Sequence, residues 1–80
     1  MKSLIKSPIK TLSISEINES VIISSVIDCH LKSRLMEMGL VVGKEVKVIF
    51  KAPMGDPIAV NVGGYILAIR LDEAALIIVI

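Results

Sequence analysis

The chain has 80 residues and a formal net charge of +1. Its charges are interspersed along the sequence, so the basic stripe that neutralises nucleic-acid phosphates is missing, and no nucleic-acid partner is expected. Cys29 is the single cysteine, which rules out an internal disulfide and makes a reducing compartment, the cytoplasm, the simpler setting.

Hydrophobic residues form 54% of the chain, with Val and Ile prominent and aromatics confined to Phe50 and Tyr65. β-Branched side chains fit a pleated, half-buried surface, so the expectation is a mainly β domain with an aliphatic core. The longest apolar run, Ala74–Ile80, is far shorter than the roughly 20 residues of a spanning helix, so no direct membrane span is expected.

In chain order, residues 1–10 read as a loosely ordered leader interrupted by Ser7 and Pro8, and residues 11–80 as one domain. Thr11–Ile14 suggests a short strand, and Ser15–Ser20 a polar turn in which Ile17 alone points inward. Val21–Ile27 suggests a second strand whose alternation is blurred by Ser24 and Ser25. Asp28 is placed as the N-cap of a helix over Cys29–Met38, with Leu31, Leu35 and Met38 as its apolar stripe. Gly39 then ends the helix in the left-handed conformation, and Leu40 folds back on the last turn.

Glu45–Lys51 alternates as a strand with Val46, Val48 and Phe50 on its inner face. Ala52-Pro53-Met54-Gly55-Asp56-Pro57 must be a stiff loop, since the prolines fix φ and Gly55 permits positive φ. Ile58, Val60 and Val62 line the next strand, Gly63-Gly64 signals a two-residue hairpin, and Tyr65 to Arg70 returns. Leu71–Ala75 reads as one helical turn before a last strand, Leu76–Val79. Five strands with one inserted helix and a short helical turn close most readily into a small barrel.

Chemistry is sparse. There is no phosphate-binding or dinucleotide glycine pattern, and no arrangement of nucleophile, base and orienting acid. Asp28, Cys29 and His30 are the residues that could take a divalent transition-metal ion. Three consecutive residues do not converge easily on one ion, so neither catalytic nor metal residues are assigned. Arg34 reads as a solvated helix residue, a structural ion pair or a partner contact, Arg70 as the partner of Asp72 or Glu73 in a local ion pair, and Asp56 as a cap for its own loop or a charged residue for recognition. Met38 belongs to the core. Met36 and Met54 offer adaptable apolar contact, and the surplus of Ile and Val implies an exposed patch for a protein partner or a second copy.

Arg34-Leu35, Met38-Gly39-Leu40, Gly43, Val46, Val48 and Ala52-Pro53-Met54-Gly55-Asp56-Pro57-Ile58 together resemble the FeoA family of ferrous iron transport proteins. The likeness continues through Gly64-Tyr65, Leu67-Ala68-Ile69-Arg70, Glu73-Ala74, Ile77 and Val79. The resemblance implies an SH3-like barrel, a cytoplasmic location, no enzyme activity, no settled cofactor, and association with FeoB, the membrane protein that carries ferrous iron and bears a GTPase domain. Ordinary SH3 grooves hold proline-rich peptides on aromatic walls that this chain lacks. Contact is therefore expected at Ala52–Pro57 and Arg34, with Met38, Gly39, Leu40, Gly43, Gly63, Gly64, Arg70 and Glu73 as the structural motif. A related domain ends iron- and manganese-dependent repressors, so the alternative is a metal-responsive regulatory domain. With no DNA-binding portion in these 80 residues, a stand-alone module is the expectation.

Overall fold

The computed structural model describes residues 9–80. The strands are β1 (Lys10–Thr11), β2 (Ser20–Val26), β3 (Glu45–Lys51), β4 (Ile58–Val62), β5 (Tyr65–Ile69) and β6 (Ile77–Val79). Two short helices, α1 (Lys32–Glu37) and α2 (Leu71–Ala74), and a 3-10 turn at Leu12–Ile14 complete the order. All strand pairs are antiparallel, in the order β1-β6-β2-β3-β4-β5. The strand β2 serves both halves, pairing β3 through Ser20–Ile22 and β6 through Ile23–Val26. Leu12, Ile23, Leu35, Leu40, Val48, Val60, Ile69 and Ile77 are among the side chains buried in the core so enclosed.

Several expectations need correction. The strand expected at Thr11–Ile14 is only the Lys10–Thr11 bridge, because the chain turns at once to drop Leu12 into the core, the Ser15 amide bonding the Leu12 carbonyl at 3.1 Å. Ile17 does not point inward. The Asn18 amide is tied to the Val48 carbonyl at 2.6 Å and the Val48 amide to the Glu19 carbonyl at 3.1 Å, which leaves Ile17 on the outside of the bend; Ser15 is buried instead. The leader expected over 1–10 lies, apart from Ile9 and Lys10, outside the described residues.

The blurred pattern of β2 is a register shift between Ile23 and Ser25, so that Val21, Ile23 and Val26 all face inward. Val46 and Val48 face inward as expected, but a like shift between Val48 and Phe50 takes Phe50 off the inner face of β3. Ile49 is the extra residue, and one extra residue sends the next side chain to the other face, so Phe50 is 56% exposed.

The helix α1 is shorter than the Cys29–Met38 span and is not capped by Asp28; its N-cap is Leu31 without a side-chain bond. The Ile27 amide still pairs with the Leu76 carbonyl at 2.9 Å, so the turn from strand to helix uses up Asp28 to Leu31. The helix end is as expected. Gly39 has φ +96°, its amide bonds the Met36 carbonyl at 3.0 Å, and the Leu40 amide reaches back to Leu35 at 3.1 Å: the Schellman pattern, with Leu40 buried.

At the other end of the domain Lys10 pairs with Glu19, joining β1 to the turn before β2. The Lys10 ammonium, with help from the Glu16 amide, holds the Glu19 carboxyl below its ordinary range.

Candidate functional site

The loop between β3 and β4 is built by its own sequence. The Ala52 amide bonds the Pro57 carbonyl at 3.0 Å and the Gly55 amide bonds the Ala52 carbonyl at 2.7 Å, so Pro53 and Met54 form the corners of a turn. Gly55 has φ +85°, and the Asp56–Pro57 bond is cis. Met54 stands at the tip, 91% exposed.

Asp56 does not cap its own loop. Its Oδ1 accepts the Leu71 amide at 2.9 Å, fifteen residues on, and so satisfies one of the orphan donors at the start of α2. The neighbouring Arg70 amide is taken by Glu73 Oε1 at 3.0 Å, the reaching-back half of a capping box. Two carboxylates from separate segments thus hold the first turn of a four-residue helix, where partial positive charge collects.

Glu73 is 5% exposed, and its Oε2 faces Arg34 Nη2 from α1 at 3.8 Å. Arg34 therefore makes an ion pair, and the expected contact of Arg70 with Asp72 is also present, Nε to Oδ1 at 3.7 Å. Both arginines are largely exposed, so water screens these pairs and each is worth at most about 1 kcal/mol. The outcome is a connected chain from Met54 through Asp56, Leu71, Glu73 and Arg34.

The remaining motif residues lie elsewhere. Met38, Gly39 and Leu40 shape the end of α1 beside Tyr65, whose Oη is 3.5 Å from the Met38 carbonyl. Gly43 bonds the Ile23 carbonyl at 2.8 Å, and Gly63 with Gly64 forms the β4–β5 turn. Asp28, Cys29 and His30 form a surface turn before α1, and among the described residues no group of three His, Cys, Asp or Glu is placed to hold a metal ion.

Sequence reasoning missed the Leu71 amide, because a backbone donor carries no signal in a residue pattern. It also missed a cleft of about 380 Å³ lined by Ser25, Val26, Lys32, Met36, Val41 and Val42. Among the described residues, no helix is long and apolar enough to cross a membrane.

The comparisons with known proteins agree with this frame. A model of the FeoA domain matches residues 10–80. The chain belongs to the FeoA family. That membership places it among iron-transport proteins of SH3-like fold, with six strands where five were expected. A FeoA-like protein from Clostridium acetobutylicum is 36% identical, with a TM-score of 0.86 over 94% of this chain and 88% of that one. The FeoA of Stenotrophomonas maltophilia, a procaryotic SH3 domain protein solved in complex with zinc, is 37% identical, with a TM-score of 0.79 over 89% of each chain. A manganese-dependent transcriptional repressor is 14% identical, with a TM-score of 0.83 over 94% of this FeoA chain and 37% of its own, a likeness of fold alone. No curated protein sequence matched.

Proposed function

We propose that this FeoA protein is a non-enzymatic, cytoplasmic accessory of ferrous iron transport that binds FeoB through the Ala52–Pro57 loop, with Arg34 linked to the loop through α2, and modulates the transporter. The observation that carries this reading is Met54. A thioether 91% exposed serves the barrel's own core in no way, yet it is displayed on a turn whose base is closed by hydrogen bonds and anchored by Asp56 to α2. A loop already fixed in shape loses little freedom on binding, and a methionine adapts to an irregular partner. The loop offers shape and apolar contact rather than a nucleophile or a base, which suits docking rather than catalysis.

The test is a titration of isotope-labelled protein with the soluble GTPase portion of FeoB and, separately, with intact FeoB in detergent, following amide shifts. Shifts are expected on Ala52–Pro57 and around Arg34. Met54→Ala is expected to weaken binding at least tenfold, about 1.4 kcal/mol, with melting unchanged. Asp56→Ala is expected to weaken binding and also to cost about 0.5–2 kcal/mol of stability, as loss of a helix cap does. If both variants bind and support uptake as the parent does, the loop is the wrong surface. Binding to neither form of FeoB overturns the adaptor reading.

A further inference from the structure

Among the described residues the outer edge of β5 is open, and its one ladder is with β4, in an unbroken register from Val62↔Tyr65 to Ile58↔Ile69. Gly63 and Gly64 have φ +59° and +96°, a two-residue turn of the I′ kind, which makes Val62 and Tyr65 the closing hydrogen-bonded pair. Bonded and non-bonded pairs alternate along an antiparallel ladder, so Leu67 and Ile69 bond to Val60 and Ile58. The N–H and C=O groups of Ile66 and Ala68 therefore point away from β4, and no other hydrogen bond among the described residues reaches them.

Proteins commonly blunt such edges with charge, proline or a bulge. Tyr65-Ile66-Leu67-Ala68-Ile69 has none of these. Ile66 is 61% exposed, and Leu67 is half-buried against the core.

We propose that β5 pairs antiparallel with the β5 of a second copy of this chain, about a twofold axis at Leu67. In that register each Ile66 lies opposite the other copy's Ala68, and both residues have their free backbone groups aimed at each other, giving four N–H···O bonds. A large side chain then meets a small one on the outer face. The two Leu67 side chains form the close non-bonded pair on the inner face, where each extends the core of its own barrel.

Neighbouring registers do worse. An axis at Ile66 sets Ala68 against Gly64, which is in the turn. An axis at Ala68 sets Ile66 against Arg70, whose amide is held by Glu73 and whose carbonyl accepts the Ala74 amide at 2.9 Å. Each keeps only the central pair. With the axis at Leu67, Arg70 falls opposite Gly64 and no like charges meet.

The experiment is sedimentation equilibrium with amide hydrogen exchange on the full chain, from micromolar concentration to about 1 mM. The expected result is a mass that rises towards two chains with concentration, while exchange at Ile66 and Ala68 slows at least tenfold in parallel. Ala68→Pro removes an N–H that β4 does not use, so it should keep protection at Tyr65, Leu67 and Ile69 yet sediment as one chain throughout. Ile66→Lys, at an exposed side chain, should lower the dimer fraction at least tenfold should the proline variant not fold. The proposal is overturned by a mass of one chain at every concentration, by a dimer with fast exchange at Ile66 and Ala68, or by variants that dimerise as the parent does. Concentration-independent protection in a one-chain species would also overturn it, since another part of the same chain would then cover the edge.

Discussion

Glu73 accepts the Arg70 amide with one oxygen and faces Arg34 with the other, all while 5% exposed. Glu73→Ala leaves the Arg70 N–H without its acceptor at the start of α2, and a lost partner in a buried site costs about 1–3 kcal/mol, to be read from urea unfolding. Glu73→Gln keeps an acceptor oxygen and should cost less. Arg34→Ala, at an exposed guanidinium, should cost under about 1 kcal/mol. Glu19 shows a different residue-scale effect. Its carboxyl is held below its ordinary range by the Lys10 ammonium, so its contribution is present above the unfolded-state pKa and is lost as pH falls through the lower folded value. The melting advantage of the parent over Glu19→Gln should therefore be present at neutral pH and shrink as pH falls through the acidic range, as measured by thermal melts.

At the scale of elements, the end of α1 depends on one position. A Cβ at Gly39 would lie 3.0 Å from Tyr65 Oη while the backbone keeps φ +96°. Gly39→Ala should destabilise by about 1–2 kcal/mol or more, measured by denaturant unfolding. Phe50 makes the opposite case. A core phenylalanine cut to alanine costs about 3–5 kcal/mol, but the register shift in β3 turns Phe50 out, so Phe50→Ala should change stability by under about 0.5 kcal/mol. This pair also shows what a sequence discloses. The helix stop was legible because glycine followed by leucine reports a local backbone need. Val46 and Val48 were read correctly, but Phe50 was misplaced because a bulge is a matter of pairing with the partner strand, and no residue within Glu45–Lys51 announces it. Likewise Asp28 looked like a cap only because nothing local reveals that Ile27 is still bonded to Leu76.

For the molecule as a whole, the mainly β class followed from Val and Ile content, and the β4–β5 hairpin from Gly63-Gly64 between alternating runs. The membership of Arg34, Arg70, Glu73 and Asp56 in one connected group did not follow. Their contacts join segments far apart in sequence, and the decisive link is a backbone amide at Leu71. That same link has a thermodynamic corollary. It ties the loop that displays Met54 to the turn leading into β6, the strand that closes against β2. On the proposed docking role, docking and folding are linked equilibria: an occupant that holds the loop in place would raise the melting temperature by mass action, and a lesion at Glu73 would lower affinity without touching the contact surface.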